Sequence, residues 1–122
     1  MIDHIGILVT DLDASVTFYT RALAPLGYTL MMKFEQGAGF GAGGKADFWI
    51  GIGQPTDKIH VAFRAKGRAD VRAFYDAAIG AGGVDNGPPG LREAYHPDYY
   101  GAFVHDPDGH NVEAVCHEPY LG

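Results

Sequence analysis

The sequence has 122 residues, a hydrophobic content of 47%, one cysteine and a formal net charge of −6 at pH 7. This length predicts one compact domain or two small fused modules, and the negative charge argues against nucleic acids and anionic membrane surfaces as partners. The lone cysteine excludes an internal disulfide, and there is neither a stretch of membrane-spanning length nor a leader-like segment after Met1. We therefore expect a cytoplasmic protein.

The chain begins with a strand and a helix. Residues 2–9 alternate in polarity, with Ile5, Ile7 and Val9 on one face and His4, Gly6 and Leu8 on the other. Apolar residues then recur at helical spacing from Val16 to Leu26, after a capping Asp11 or Asp13. Pro25 and Gly27 predict the end of this helix.

Three further segments complete the first half. Residues 28–34 and 47–52 have the composition of strands. The glycine-rich segment 37–44 between them lacks the Lys-Ser or Lys-Thr ending of a phosphate loop. It is therefore predicted to be a flexible strand or a hairpin. Residues 54–57 form a turn-rich link.

The second half repeats this order. Residues 58–65 predict a strand, and residues 69–81 a helix. A long polar loop over residues 85–97 is followed by strands predicted at 99–104 and 111–116. The turn residues 106–109 separate these two strands.

The two halves correspond residue by residue. His60 follows His4 by 56 residues, and the same offset relates Phe18-Tyr19 to Phe74-Tyr75. Aligning the last strands places Trp49 opposite Glu113. The sequence therefore predicts two modules, residues 1–54 and 55–122, each with a strand, a helix and about three further strands.

His4, His60 and Glu113 are predicted to hold a metal ion. Alternation places all three on the strand face that is not packed under the helices, beside the small residues Gly6 and Ala62. If the two sheets curl towards each other, these side chains converge in a cup. Two imidazoles and one carboxylate suit a divalent ion and leave positions open for a substrate. A lone strand histidine is more often structural, so the prediction depends on all three residues together.

Other residues are candidates for the cup around the ion. The predicted substrate-binding residues are Trp49, Phe40, Arg64 and Arg92, and the predicted proton donors are Tyr100, Tyr99 and His96. Arg92 suits a carboxylate or phosphate, although a solvated loop arginine is the alternative. His96 equally fits a loop that only covers the cup.

These motifs together resemble the vicinal oxygen chelate superfamily, which includes glyoxalase I, extradiol dioxygenases, methylmalonyl-CoA epimerases and the bleomycin and fosfomycin resistance proteins. The resemblance is carried by residues 3–7, 18–19, 26–27, 60–63 and 103–113. It implies an α+β fold in which two βαβββ modules form a curled mixed sheet around one cup. It also places His4, His60 and Glu113 at ligand positions, whereas Trp49 replaces the fourth ligand of the glyoxalase I pattern. This departure favours the two-histidine, one-carboxylate pattern of extradiol dioxygenases and fosfomycin-modifying transferases.

Two functions follow from this resemblance. The first is an enzyme that uses Fe, Mn, Ni or Zn and acts on a small substrate through neighbouring oxygens, by dioxygenase or lyase/isomerase chemistry. The alternative is a metal-free protein that sequesters a drug or metabolite in the cup. The family also implies a homodimer, in which the modules pair within one chain or are exchanged between chains.

Overall fold

The computed structural model describes residues 1–119, so the last three residues of the second predicted module lie outside the described residues. The first half contains β1 (Ile5–Val9), α1 (Leu12–Leu23), a 3₁₀ turn (Ala24–Leu26), β2 (Thr29–Phe34), β3 (Gly37–Ala42) and β4 (Lys45–Ile52). The second half contains β5 (His60–Arg64), α2 (Arg68–Gly80), β6 (Val84–Asp85), β7 (Gly90–Leu91), β8 (Tyr100–His105) and β9 (Asn111–Cys116). No helix within residues 1–119 is long and apolar enough to cross a membrane.

The two sheets have the same topology. Their strand orders are β1-β4-β3-β2 and β5-β9-β8-β6, and β7 pairs with β8 beside this path. In each sheet the first strand runs parallel to the last, and the other pairs are antiparallel. Gly6 lies opposite Trp49, as Ala62 lies opposite Glu113. The predicted α+β fold of two βαβββ modules is therefore confirmed, with a curled sheet that is not closed.

The predicted strand faces determine where the core lies. Ile7 and Val9 of β1 are buried, as are Val61 and Phe63 of β5, whereas His4, Gly6 and Ala62 are exposed. The buried faces join the buried sides of α1 and α2 in one cluster. The cup-facing sides are left available for a site because both helices pack on the other side.

Local sequence accounts for most element boundaries. Asp11 caps α1 by accepting a hydrogen bond from the Ala14 N–H at 3.1 Å, and Gly27 ends the 3₁₀ turn with a φ of 85°. The predicted loop over residues 85–97 is not wholly irregular, because it contains β7 and begins at the end of β6. Both are two-residue strands that exist by pairing with β8, a contact that periodicity does not reveal.

A buried histidine in the turn before β9 joins the two modules. The Ile59 N–H donates to His110 Nδ1 at 2.9 Å, and His110 Nε2 lies 2.8 Å from the Leu8 carbonyl oxygen. Since Nδ1 accepts a hydrogen bond, Nε2 carries the proton and donates it to Leu8. Beside it, the Asp108 carboxylate accepts hydrogen bonds from the Thr10 amide and hydroxyl. This turn ties the end of β1 to the start of β5.

Candidate functional site

A histidine and a buried carboxylate meet on neighbouring parallel strands. β5 and β9 run side by side, so His60 and Glu113 project from the same face two registers apart. His60 Nε2 lies 2.8 Å from Glu113 Oε1. The Glu113 side chain is 1% exposed, whereas that of His60 is 54% exposed. The pair therefore has one buried member and one that reaches solvent.

Tyr99 provides the second partner of the carboxylate. Its hydroxyl donates a hydrogen bond to Glu113 Oε2. Burial, and then the hydrogen bond to Glu113 and its charge, raise the pKa of Tyr99, so the phenol stays protonated as a donor. Gly101 leaves room for this contact, because a Cβ there would lie 3.2 Å from the Tyr99 ring and 3.4 Å from Glu113 Oε2.

The other predicted metal ligand lies across a cleft. His4 and His60 both line a cavity of about 480 Å³ between the first strands of the two modules. His4 Nδ1 is 2.7 Å from Asp3 Oδ1, and Lys45 contacts the other Asp3 oxygen. These hydrogen bonds, that of Lys45 first, lower the pKa of Asp3. Within residues 1–119, no three His, Cys, Asp or Glu side chains are close enough together to hold an ion.

The cleft also has polar residues beyond the histidines. The Tyr28 hydroxyl donates to Asp47 at 2.7 Å, and burial together with this carboxylate raises the pKa of Tyr28 to about 12. Arg64, a predicted substrate-binding residue, lines the same cleft. Its guanidinium pairs with Glu118 and holds the pKa of that carboxyl at about 2. Neither Tyr28 nor Asp47 had a signal in the sequence, because each sits in an ordinary strand pattern.

Trp49 forms an apolar wall on the first module. Its indole lies flat over Gly39, where a Cβ would lie 2.6 to 2.8 Å from three ring atoms. A groove of about 300 Å³ beside it is also lined by Leu8, Phe34 and Gly51. Tryptophan thus occupies the position that corresponds to Glu113. It lines this separate apolar groove and not the cleft of His4 and His60.

The structure does not bring all the predicted residues to this site. Phe40 is fully buried against Tyr19 and Phe48, because it pairs with Phe48 on the helix-facing side of the sheet. Arg92 donates to the Pro88 carbonyl oxygen at 2.7 Å and lies over the ring of Phe103. The centre of the Phe103 ring is 6.3 Å from that of His60. Arg92 therefore lies near the site, although neither of these contacts is with Glu113 or His60.

Two of the predicted proton donors have partners other than Glu113. Tyr100 packs against the core and lies under Arg68, whose guanidinium carbon is 5.0 Å from the ring centre. His96 lies in the loop before Tyr99, and its Nε2 is 2.8 Å from His117 Nδ1. Nothing in the sequence pattern links His117 to His96, because it follows the last strand, where a histidine is usually solvated.

Comparisons with known proteins agree with this fold. The family model described as "Glyoxalase/Bleomycin resistance protein/Dioxygenase superfamily" matches residues 1–114. The chain belongs to this superfamily. Its two-module sheet and the order of its elements are those of the family fold, and the resemblance inferred from the sequence motifs is confirmed.

Several solved structures of the superfamily are similar to this chain. A glyoxalase/bleomycin resistance protein from Albidiferax ferrireducens is 28% identical, with a TM-score of 0.78, and the match covers 96% of this chain and 98% of that one. A fosfomycin resistance protein from Listeria monocytogenes is 18% identical, with a TM-score of 0.71 and coverages of 99% and 94%. A glyoxalase I mutant from Zea mays is 22% identical, with a TM-score of 0.70 and coverages of 93% and 43%. No curated protein matches the chain.

Proposed function

We propose that this chain is a metal-dependent enzyme of the superfamily, in which His60, Glu113 and His4 hold one divalent ion, either Fe, Mn, Ni or Zn. Its substrate would be a small organic molecule that reaches the ion through two neighbouring oxygens. The observation that supports this most directly is the environment of Glu113. It is a buried carboxylate whose two oxygens accept hydrogen bonds from His60 and Tyr99, side chains that both carry exchangeable protons.

The spacing of the pair suits an ion. Two ligands at right angles around an ion with bonds of about 2.1 Å are separated by about 3 Å, and His60 Nε2 and Glu113 Oε1 are 2.8 Å apart. A buried carboxylate is costly without a partner, and a cation that replaces the shared proton removes that cost. The donor set, an imidazole and a carboxylate, fits all four of the candidate ions.

His4 would complete the set from the opposite side of the cleft. Its Nδ1 lies against Asp3, so the proton on that nitrogen leaves Nε2 free as a ligand. Carboxylates commonly orient metal-binding histidines in this way. Narrowing the cleft between β1 and β5 would be needed to bring His4 to the His60–Glu113 pair.

The remaining residues of the site would have different roles. A bound ion would polarise neighbouring oxygens of the substrate or lower the pKa of bound water. The proton nearest the site would be that of the Tyr99 hydroxyl, which donates to Glu113. Tyr99 would therefore be the proton donor, rather than Tyr100 or His96. Trp49 would bind an apolar part of the substrate, while Arg64 would meet a polar group at the rim. The reactions implied are those of the family, dioxygenation or lyase/isomerase chemistry, and the similar fosfomycin resistance protein illustrates a small-molecule target.

We also propose a homodimer, because members of the family often form dimers and the strand β2 at the edge of the first sheet is exposed along its whole length. Leu30, Met31, Met32 and Phe34 would lose exposed apolar surface in such an assembly. A reducing cytoplasmic location is proposed from the single cysteine, which is free and buried.

Metal analysis tests the enzyme proposal. Protein purified without a metal-affinity tag would be titrated with Fe(II), Mn(II), Ni(II) and Zn(II), and its metal content would be measured. We expect one tightly bound ion per chain. Glu113→Gln and His60→Ala should each weaken binding by more than about 100-fold, since altering an outer partner alone costs 10- to 100-fold.

His105→Gln is the matched control, because His105 lies on β8 and pairs with Asn111 through the backbone. It removes an imidazole from the same sheet and should leave metal binding unchanged. Binding that is lost equally in the control, or that is absent for all four ions in the wild type, would contradict the proposal.

One observation favours a second function, the sequestration of a small molecule without metal. His4 lies apart from the other two ligands, and the cleft of about 480 Å³ has the volume to hold a small organic molecule. Ligand binding that is unaffected by chelators and by Glu113→Gln would support this function and exclude the first.

A further inference from the structure

A pair of histidines, His96 and His117, lies beside the site and contacts Tyr99. His96 belongs to the loop between β7 and β8, and His117 follows β9. His96 Nε2 and His117 Nδ1 are 2.8 Å apart, and the rings are stacked with an interplanar angle of 28°. The pair therefore connects the loop to the end of the last strand.

The neighbouring backbone determines where the protons lie. The Asp98 N–H donates to His96 Nδ1 at 3.1 Å, so this nitrogen carries a lone pair. In a neutral imidazole the proton is then on Nε2, and His96 donates it to His117 Nδ1. Both rings are neutral in this arrangement. An added proton on His117 Nδ1 would face the His96 N–H, and one on His96 Nδ1 would face the Asp98 N–H.

The same two rings pack against Tyr99. The ring centres of His96 and His117 lie 5.4 Å and 5.2 Å from that of Tyr99, in edge-on contacts. The Tyr99 N–H also donates to the His96 carbonyl oxygen at 3.2 Å. The position of the phenol, and hence of the hydroxyl on Glu113, therefore depends on the imidazole pair.

We propose that His96 and His117 are positioning residues: as a neutral hydrogen-bonded pair they hold the Tyr99 hydroxyl on Glu113, and protonation of the pair releases it. In this role neither imidazole touches a substrate. The consequence for activity rests on the proposed function of Glu113, whereas the chain of contacts from the pair to Glu113 does not.

The charged and titratable groups around the pair come from the loop and from the end of β9. Tyr95, Tyr99, Asp98 and Arg92 belong to the loop side, and Tyr95 lies edge-on to Tyr99 at 4.8 Å. Glu118 follows His117 and is neutralised by Arg64, while Glu113 and Cys116 lie on β9. Negative charges near the pair thus come from Asp98, Glu113 and Glu118, and positive charges come from Arg92 and Arg64.

Nuclear magnetic resonance of the metal-free protein tests this proposal directly. At about pH 7.5, one nitrogen of each ring should have the chemical shift of an unprotonated acceptor, and the Tyr99 hydroxyl proton should be observable because it exchanges slowly. As the pH is lowered until both acceptor signals disappear, the Tyr99 hydroxyl signal should disappear with them.

Two substitutions distinguish the effect of the hydrogen bond from the effect of the volume of the ring. His117→Asn keeps an acceptor oxygen near the position of Nδ1 and should retain the Tyr99 hydroxyl signal at neutral pH. His117→Leu has a similar size and no acceptor, so it should lose the signal at every pH. His105→Gln, which removes an imidazole outside the pair, should behave as the wild type.

Retention of the Tyr99 hydroxyl signal in His117→Leu, or its persistence in the wild type after both rings are protonated, would overturn the proposal. If His117→Leu fails to fold, as judged by its amide spectrum, the wild-type pH series gives the answer alone. These readouts need no metal, so absence of metal binding would contradict the proposed function and leave this inference standing.

Discussion

Asp106, in the turn before β9, and Glu113, in the middle of β9, are both buried carboxylates, with exposed fractions of 3% and 1%. Their partners differ. Asp106 accepts hydrogen bonds from the Tyr19 hydroxyl at 2.6 Å and from the His110 and Asp108 amides at 2.9 Å. Glu113 accepts from two side chains that come from other strands or loops. Fixed backbone donors make the first carboxylate structural, whereas the second can exchange its partners for an ion.

The largest effect should come from removing the structural carboxylate. Asp106→Ala leaves the Tyr19 hydroxyl and two amides without their acceptor in a buried site. We expect the free energy of unfolding to fall by about 4 kcal/mol, measured by urea denaturation. Glu113→Gln, which removes a buried charge and keeps an acceptor, should cost about 1 kcal/mol or less. Equal losses would mean that Glu113 is structural as well.

A smaller loss of stability should follow from breaking the link between the modules. His110→Ala removes the bonds to Ile59 and Leu8 and leaves a cavity, so we expect a loss of about 3 kcal/mol in the same measurement. His105→Ala, at a partly exposed position at the end of β8, should cost less than about 0.5 kcal/mol. A small loss for His110→Ala would show that Asp108 and Thr10 suffice to join the modules.

Tyr99→Phe tests the other partner of Glu113. The substitution removes the donor to Oε2 and keeps the ring, so the fold should be maintained. We expect a loss of about tenfold in affinity for the divalent ion, measured by calorimetric titration, because partners of ligands typically contribute this much. Tyr19→Phe, the matched change at Asp106, should leave metal affinity unchanged while lowering stability. Equal affinity of Tyr99→Phe and Tyr19→Phe for the ion would contradict a specific role of Tyr99 at the metal site.

The smallest effect concerns alkaline pH. Burial, and then the charge and hydrogen bond of Asp106, raise the pKa of Tyr19 well above its usual value. A phenol whose pKa is higher in the folded state contributes stability that is complete below about pH 10 and is lost as pH rises towards the folded value. Denaturation at about pH 7 and 10.5 should therefore show a loss of about 1 kcal/mol. Tyr19→Phe should reduce this loss, and an unchanged loss would assign it to the partly buried Tyr28 and Tyr99, whose pKa values are also raised.

The comparison between the two carboxylates also shows which features could be predicted from the sequence. Alternation along β5 and β9 predicted that His60 and Glu113 share a face, because side-chain direction in a strand is a local property. The offset that aligns Trp49 with Glu113 was confirmed by the register of the two sheets. Nothing in the local pattern marks His110 as a link between the modules, because its partners at Leu8 and Ile59 lie far away along the chain.

The sequence by itself determined the two modules, the faces of their strands and the family, since repeats and alternation are encoded residue by residue. Only the tertiary structure decided which side chains meet. It brought Tyr99 and His60 to Glu113, turned Phe40 into the core, folded Arg92 onto Pro88 and left His4 across the cleft. The physical reason is that such contacts depend on how separate strands and loops are placed relative to each other. Local periodicity does not specify that placement.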